Sequence, residues 1–201
     1  MKHAIIITHP SASSFTQSVA KAYGTAVKEL GHDVVVRDLY RLGFDPCLKS
    51  PERPDAGRYS EPADVAAEHA LLADCDVFAF FYPIWFGTPP AMTKGYVERV
   101  FNHGFAFDAF HAGRSEPLLK GRRLISFTSS GSTNAWLEER GVWLSLRTVF
   151  DDYIAAVCGM TVADHVHFPS VTEGLDGRWV AEHLCKVRAT VRKHFSTPLA
   201  A

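Results

Sequence analysis

The feature that most constrains the fold is a regular alternation of short apolar segments with longer segments of helical periodicity. Val77–Tyr82 is a continuous apolar run, the pattern of a parallel strand buried on both faces. Phe15–Leu30 repeats its apolar residues at helical spacing and stops at Gly31. The same patterns predict strands at Ala4–Thr8, Asp33–Leu39, Leu124–Thr128 and Thr161–Phe168, and helices at Ala63–Ala73, Pro90–Phe101, Val142–Ala156 and Trp179–Phe195.

This alternation predicts an α/β fold, a flavodoxin-like doubly wound parallel sheet of five strands in the order 2-1-3-4-5. We expect a single domain over residues 1–201, because the sequence contains no repeat, low-complexity tract or linker. Ligands of such sheets bind beyond the carboxyl ends of the strands, where the strand order reverses. The loops after Thr8, Tyr82 and Thr128 are therefore the expected site.

Composition excludes several classes of protein. The formal net charge is -1, so we expect no nucleic-acid partner. The apolar N-terminal run of about five residues is too short for a signal peptide or a membrane span, so we expect a cytoplasmic protein without membrane insertion. The four cysteines form no Cys-x-x-Cys pair and are expected to be free thiols.

The loop after the first predicted strand reads HPSASSFT at residues 9–16 and carries four hydroxyl side chains into a helix. The start of a helix has unpaired N–H groups and partial positive charge, so hydroxyls and amides there can bind phosphate without a lysine. Ser13 or Ser14 acting only as an N-cap is the alternative. The position after the first strand favours phosphate.

The loop after the third predicted strand reads YPIWFGTPPAM at residues 82–92 and places two large aromatic side chains among three prolines. Trp85 and Phe86 are either a small satellite core or a shelf for a planar ligand. The prolines restrict the backbone, which lowers the ordering cost of stacking, and Gly87 allows close backbone approach. These features favour the shelf.

The loop after the fourth predicted strand reads TSSGS at residues 128–132. Taken alone, it is typical of a turn. At the same edge of the sheet, its hydroxyls and N–H groups can reach the polar rim of a heterocycle. A phosphate loop, an aromatic shelf and a polar rim together predict a flavin site.

These motifs resemble the flavodoxin-like NAD(P)H:quinone oxidoreductases, the DT-diaphorase-like family, over nearly the whole chain. The most specific part is YPIWFG at residues 82–87 followed by KGYVERVF at residues 94–101, with FAF at residues 105–107 in addition. The resemblance implies FAD as cofactor, with FMN as the alternative, and NAD(P)H as co-substrate. The residues it places on the flavin are His9, Ser13, Ser14, Phe15 and Thr16 at the phosphates and ribityl chain, Pro83, Ile84, Trp85 and Phe86 at the isoalloxazine, and Ser129, Ser130 and Gly131 at its polar edge.

The resemblance also implies a substrate pocket shared between subunits. Phe107 falls where the family places an aromatic that closes the pocket from the neighbouring subunit, so a homodimer is expected. Trp136 is expected to line the same pocket. Trp136 and roughly Val142 stand where the longer animal enzymes carry a Tyr and a His proposed to manage charge on the reduced flavin, so no catalytic side chain is assigned. His69 aligns with a glutamine that the family often places on the pyrophosphate, and a histidine can donate a hydrogen bond there as well. The sequence ends at Ala201, so the C-terminal extension of the animal enzymes is not expected.

The activity implied by the resemblance is ping-pong reduction of a quinone or a related electrophilic acceptor, with hydride transfer through flavin N5. Azo-dye and nitroaromatic reduction are the same chemistry on other acceptors. The alternatives are a regulatory flavoprotein subunit of a potassium efflux system and a one-electron flavodoxin-type carrier. Carriers tend to be strongly acidic, whereas this chain is nearly neutral and has ten histidines.

Other charged and metal-ligating residues are expected to have ordinary roles. His165 and His167 share one face of a strand, but nothing brings His103 or His111 near them, so no metal site is expected. Lys94, Glu98 and Arg99 receive no catalytic role, because surface pairs four residues apart on a helix explain them equally well. Arg37 is expected to be an exposed charge at a strand end.

Overall fold

A computed structural model describes residues 1–53, 59–111 and 114–196. Its strands are β1 (Lys2–Ile7), β2 (Asp33–Asp38), β3 (Val77–Pro83), β4 (Phe107–His111), β5 (Arg114–Pro117), β6 (Arg123–Ser129) and β7 (Thr161–Phe168). Five of them form one parallel sheet in the order β2-β1-β3-β6-β7, and β4 pairs with β5 in an antiparallel hairpin. With the hairpin set aside, this is the predicted order 2-1-3-4-5, and the fold prediction is confirmed.

The helices are α1 (Phe15–Glu29), α2 (Ala63–Leu72), α3 (Ala91–Val100), α4 (Asn134–Glu139), α5 (Val142–Leu146), α6 (Tyr153–Cys158) and α7 (Gly177–Phe195). A π-helical segment, Arg147–Asp152, joins α5 to α6, and Ser50–Glu52 forms a 3₁₀ turn. Most predicted elements agree with these bounds to within about two residues, the usual uncertainty at element ends.

The two faces of the sheet carry separate hydrophobic clusters, because successive strand residues point to opposite sides. Ile5, Phe81 and Phe127 pack under α1 and α7. Phe78 and Phe80 pack on the other face, under α2, α3 and the segment from α5 to α6. Every residue of β3 is buried, as the apolar run predicted, and each buried phenylalanine contributes about 1.5–3 kcal/mol.

Three elements differ from the sequence prediction. The single helix predicted at Val142–Ala156 is wrong in detail, since the π-helical segment interrupts it and turns the adjacent residues Phe150 and Asp151 both into the interior. Hydrophobic periodicity detects a helix here but cannot show wider turns. α4 and the β4–β5 hairpin were not predicted, because short elements carry too few residues to establish a period.

Candidate functional site

The three loops singled out in the sequence meet at the carboxyl edge of the sheet. The ring centroids of His9 and Trp85 are 6.0 Å apart, which joins the loop after β1 to the loop after β3. The backbone N–H of Ile84 donates to Ser129 O at 2.7 Å, which joins the loop after β3 to the loop after β6. Because β1 and β3 are neighbours, the loops surround the point where strand order reverses.

The loop after β1 presents exposed hydroxyls directly before α1. Ser14 caps this helix, with its side chain accepting from Gln17 N at 3.3 Å. Ser11 and Ser13 are exposed, and their hydroxyl oxygens lie 3.2 Å apart. The N-cap interpretation is therefore correct for Ser14, while Ser11 and Ser13 remain accessible beside the positive end of the helix.

His9 is held as a neutral donor. Its Nδ1 lies 3.0 Å from Ser11 N and 3.3 Å from Ser11 O; we take the shorter contact, in which the Ser11 N–H donates, so Nδ1 accepts and the ring proton is assigned to Nε2. Burial lowers the pKa of His9, and the nearby Arg41 adds to this effect. Arg41 donates to the carbonyl oxygens of His9 and Pro10, which brings a positive charge to the loop.

Phe15 and Thr16 contribute differently from the serines. The Phe15 ring packs edge-on against Phe168 and His183, at centroid distances of 5.4 and 5.7 Å, so its side chain belongs to the core. Thr16 is buried. Backbone N–H groups at the start of α1 are thus what these two positions offer to an anion.

The loop after β3 closes in a tight turn. Trp85 and Thr88 exchange backbone hydrogen bonds of 3.0 and 3.1 Å, and Phe86 and Gly87 between them have φ values of 50° and 77°. Two left-handed central residues are the pattern of a type I′ turn. Gly87 suits it, and a Cβ there would lie 3.4 Å from Val142 Cγ1, so the turn lies against the start of α5.

Phe86 is strained and exposed at the tip of this turn. Left-handed backbone is unfavourable for a bulky residue, and such outliers cluster at functional sites. Its side chain is fully exposed, and Trp85 is 40% exposed, whereas Pro83 and Ile84 are buried. The satellite-core interpretation is therefore wrong for Phe86, whereas Trp85 is partly exposed and partly packed.

The loop after β6 is anchored to β7. Ser130 N donates to Phe168 O at 3.1 Å. Ser129 and Ser130 are buried, and Gly131 is exposed. The Ser130 hydroxyl lies 3.1 Å from both Ser132 O and His167 Nε2, so this loop rests on a polar interior that the sequence analysis did not identify.

That interior is a line of buried polar side chains between β6, β7 and the π-helical segment. Parallel register places Ser126 beside His165 and Thr128 beside His167. His165 and Asp151 form a buried pair, and the Ser126 hydroxyl donates to the other Asp151 oxygen at 2.6 Å. The shared face of His165 and His167 was visible in the sequence, but Asp151, the partner of His165, was not.

The two predicted pocket residues lie apart. Phe107 lines an apolar cleft of about 290 Å³ together with Val97 and Tyr153. A second apolar cleft, of about 510 Å³, lies between the turn after β3 and Tyr153. Trp136 is half exposed on α4, with the Arg140 guanidinium 5.9 Å from its ring centroid. Within the described residues the structure does not bring Phe107 and Trp136 together.

The KGYVERVF motif has a structural role. Lys94 and Glu98 form an exposed ion pair on α3, as the surface-pair interpretation predicted. Arg99, however, is buried between Glu52 and Asp64, and Gly95 is required because a Cβ there would lie 2.2 Å from Pro46 O. The motif therefore fastens the segment after β2 onto α3.

One further expectation is corrected. Arg37 is not an exposed charge: its guanidinium pairs with Glu68 and is mostly buried, because Glu68 on α2 faces the edge of the sheet. His69 bonds Glu61 Oε1 at 2.6 Å and Val100 O at 2.8 Å, so both of its ring nitrogens already have partners. A bond from His69 to a pyrophosphate stays a prediction.

All four cysteines are free, as expected. Over residues 1–53, 59–111 and 114–196, no group of His, Cys, Asp or Glu has the arrangement of a metal site; the side chain of His111 lies outside this description. No helix in the same ranges has the length and apolar character needed to span a membrane.

Comparison with known proteins adds the family. A family described as having a flavodoxin-like fold matches residues 1–192. An uncharacterized NAD(P)H oxidoreductase of Haemophilus influenzae is 35% identical over 161 residues, which cover 80% of this chain and 79% of that protein.

NAD(P)H dehydrogenase (quinone) 1 of Cavia porcellus is 31% identical over 150 residues, 66% of this chain and 54% of the relative, so the aligned region spans about half of that protein. The solved NAD(P)H:quinone oxidoreductase from Methanothermobacter marburgensis superposes with a TM-score of 0.82 at 30% identity, covering 96% of this chain and 98% of that one. The chain therefore belongs to the flavodoxin-like family of NAD(P)H:quinone oxidoreductases, a family of enzymes.

Proposed function

We propose that the protein is a flavin-dependent NAD(P)H oxidoreductase that reduces a quinone or a related electrophilic acceptor in a ping-pong cycle. The observation that carries the proposal is the convergence of three loops, in which an exposed hydroxyl-lined helix start lies beside the partly exposed Trp85. Family membership supports the same conclusion.

The residues of the site fit a flavin phosphate at one end. Ser11, Ser13 and the N–H groups at the start of α1 supply neutral donors, and His9 supplies its Nε2–H. Arg41 adds a positive charge within bonding distance of the loop backbone. Helix N-termini bind phosphate by the same combination of free N–H groups and dipole.

The fit extends to the ring system. Trp85 and Phe86 offer apolar faces that water covers in the absence of a ligand, and covering such a face contributes about 25 cal/mol per Å². Pro83 and Ile84 support them from below, and Ser129, Ser130 and Gly131 offer donors and acceptors to the polar edge. These assignments are the ones that the family resemblance implied.

FMN is the flavin that we propose, in place of the FAD expected from the sequence. FAD has a pyrophosphate and an adenosine to hold, and His69, the residue aligned with the family's pyrophosphate ligand, is already bonded to Glu61 and Val100 O. An FMN-dependent NADH-azoreductase of Bacillus anthracis, solved with FMN, has the same fold at 18% identity and a TM-score of 0.71.

The chemistry would come from the cofactor. When bound, the flavin supplies a site that accepts a hydride from NAD(P)H and passes two electrons to the acceptor. The protein orients both partners on one face of the ring, keeps bulk water from it, and directs donors toward the polar edge. Because these are binding roles, truncating one loop residue should slow turnover without abolishing it.

A second copy of the chain would complete the acceptor pocket. Val149 and Tyr153 are 70% and 63% exposed; Tyr153 lines both apolar clefts, and Val149 lines the one beside the turn after β3. Exposed apolar groups that cluster in this way mark interaction surfaces. We therefore retain the homodimer as a proposal.

Absorbance and turnover test the function. Purified protein should carry a flavin absorbance band, and heat-released flavin should run with FMN in chromatography. It should oxidise NAD(P)H with a soluble quinone and give parallel double-reciprocal lines. Colourless protein that does not take up added FMN would overturn the proposal, and bound flavin without turnover would favour the regulatory or carrier alternatives.

Light scattering tests the dimer. Wild-type protein should have twice the mass of one chain, and Val149→Glu should shift it toward the monomer because a charge cannot be buried unpaired. Lys21→Glu, an equally exposed charge change on α1, is the matched control and should leave the mass unchanged. A monomeric wild type would contradict the proposal.

A further inference from the structure

A continuous line of hydrogen bonds joins the buried Asp151 to the loop after β6. His165 Nδ1 contacts Asp151 Oδ2, and His165 Nε2 lies 2.9 Å from Thr128 Oγ1. Thr128 Oγ1 is also 2.9 Å from His167 Nδ1, and His167 Nε2 is 3.1 Å from Ser130 Oγ. We call this line the Asp151–Ser130 chain. All five residues are buried.

Each end of the Asp151–Ser130 chain is a group that can accept hydrogen bonds but cannot donate them, provided that Asp151 is ionised. Asp151 is a carboxylate, and beyond Ser130 the next partner is the carbonyl oxygen of Ser132 at 3.1 Å. Five hydrogen bonds lie between these two acceptors, and each needs one hydrogen. The two hydroxyls and two neutral imidazoles in between supply only four.

The five bonds can therefore form together only if the chain holds one additional proton. His165 is its most favourable location, because it contacts the carboxylate and both side chains are 0% exposed. A lone buried carboxylate is costly, and pairing it with an imidazolium offsets that cost. His167 is the poorer location, since burial and the neighbouring His165 lower its pKa to about 4.

We propose that the Asp151–Ser130 chain stores one proton and sets the hydrogen-bond polarity of Ser130 toward the polar edge of the flavin. This inference rests on the proposed function. With the proton present, each group donates toward the loop, so the Ser130 O–H points to Ser132 O and can turn to the polar edge of a bound flavin instead. Without it, Ser130 donates inward to His167 and presents only oxygen lone pairs.

The stored proton can also be delivered without moving a side chain. Ser130 gives its hydroxyl proton to the polar edge and takes the Nε2 proton of His167. His167 takes the proton of Thr128 at Nδ1, and Thr128 takes the Nε2 proton of His165. His165 ends neutral, so one positive charge leaves the chain and one proton arrives at the edge, where reduction brings negative charge.

A polar cleft lies beside the Asp151–Ser130 chain. His165 and His167 line a cleft of about 600 Å³ next to Trp143, whose ring centroid is 4.7 Å from His165 and 5.4 Å from His167. The charged and titratable groups that face the two histidines from the packed elements are Asp151 of the π-helical segment, Glu138 of α4, Asp164 of β7, Lys186 and Lys193 of α7, and Tyr82 of β3.

Asp151, Thr128, His165 and His167 act through Ser130 and are positioning residues.

Histidine ¹⁵N NMR tests the stored proton without turnover. Near neutral pH, His165 should show both ring nitrogens protonated, and His167 should carry its proton on Nε2. Asp151→Asn should leave His165 singly protonated on Nε2 and His167 unchanged, because the amide accepts from Ser126 and donates to His165 Nδ1 without an added proton. Glu138→Gln, a carboxylate change on the exposed rim of the same cleft, should change neither. A wild-type His167 protonated on Nδ1 would overturn the proposal.

A matched pair at Thr128 tests delivery. Thr128→Val removes the hydroxyl at nearly constant volume and should slow the proton-coupled step of acceptor reduction by about 10-fold or more, with a changed pH profile and solvent isotope effect. Thr128→Ser restores the hydroxyl and should recover the rate. Equal rates and profiles in both variants would overturn delivery.

The two proposals fail in different ways. If the protein binds no flavin but shows the expected imidazole protonation, the proposed function fails and the stored proton stands. If the protein binds flavin and turns over while His165 is neutral, only the stored proton fails. The flavin affinity of Thr128→Val should stay within about twofold of the wild-type value. Such a result would show that the slower rate comes from the changed hydrogen-bond polarity and not from loss of the flavin site.

Discussion

The loop at residues 9–16 and the Asp151–Ser130 chain are two polar systems at the same edge of the sheet, built in opposite ways. In the loop, side chains bond partners only two or three positions away and remain largely exposed. In the chain, bonds join residues 14, 37 and 39 positions apart, and every member is buried. Exposed local groups can exchange water for a ligand, whereas buried ones are already satisfied and act by orienting their neighbours.

The largest difference should appear when one hydroxyl is removed from each system. Thr128→Val leaves His165 Nε2 and His167 Nδ1 without their shared partner, at a cost of about 1–3 kcal/mol for each unpaired group. We expect about 4 kcal/mol lost from the free energy of unfolding, measured by urea denaturation.

Ser11→Ala, in the exposed loop, is the control and should cost less than about 0.5 kcal/mol. Comparable losses in the two variants would show that the buried hydrogen bonds contribute no more to the free energy of unfolding than the exposed ones.

Acid should destabilise the buried system more than the exposed one. His167 has a pKa of about 4 in the folded protein against 6.5 ordinarily, so the unfolded chain binds more protons between these values. The contribution of His167 to the free energy of unfolding is therefore fully present above about pH 6.5. It decreases by about 3 kcal/mol as the pH drops toward 4.

His3, with a pKa lowered to about 3 by burial, adds to the same slope. Denaturation curves measured across this pH range should show that the free energy of unfolding depends less steeply on pH in His167→Gln than in the wild type. His9→Gln should keep most of the slope, and the reverse ranking would contradict the assignment.

The exposed system should be the more sensitive one for flavin binding. Trp85→Ala removes the ring that adjoins His9, and we expect flavin affinity to fall by about 30-fold, or ~2 kcal/mol. Lys94→Ala, which removes one partner of an exposed pair on α3, should leave affinity unchanged. Fluorescence titration with FMN measures both, and equal affinities would count against Trp85 as a ring contact.

The smallest effect should be a gain of stability. Phe86 has a φ of 50° and a fully exposed ring, so Phe86→Gly relieves backbone strain without losing buried contacts. We expect the flavin-free protein to gain about 1 kcal/mol by denaturation, offset in part by the entropy of glycine. Flavin binding or acceptor turnover should weaken at the same time, and a variant unchanged in both would remove any functional reason for the strain.

Much of the candidate site was predictable because its signals are local. The hydroxyls before α1, the proline-bounded aromatics after β3 and the small polar residues after β6 each follow a strand whose apolar pattern is clear. Parallel topology then brings their carboxyl ends to one edge. The outcome for Trp85 and Phe86 was less certain, because composition alone does not tell an exposed ring from a packed one.

The unpredicted parts depend on distant pairings. Arg99 and Lys94 belong to the same motif, yet Arg99 meets Glu52 and Asp64 in the interior while Lys94 pairs with Glu98 at the surface. Helical spacing places them on neighbouring faces without saying which face is covered. Likewise, His69 matched a ligand position in the family, but its neighbours Glu61 and Val100 O took both ring nitrogens.

The sequence by itself determined the order of strands and helices and the edge of the sheet at which the candidate site lies, because period, chain direction and handed crossovers leave few alternatives. Only the tertiary structure decided which polar groups are shared inside the protein. Asp151 is the partner of His165 because the π-helical turns direct it inward beside β6 and β7. No local sequence pattern encodes this contact, because hydrogen bonds between distant segments depend on strand register and on packing.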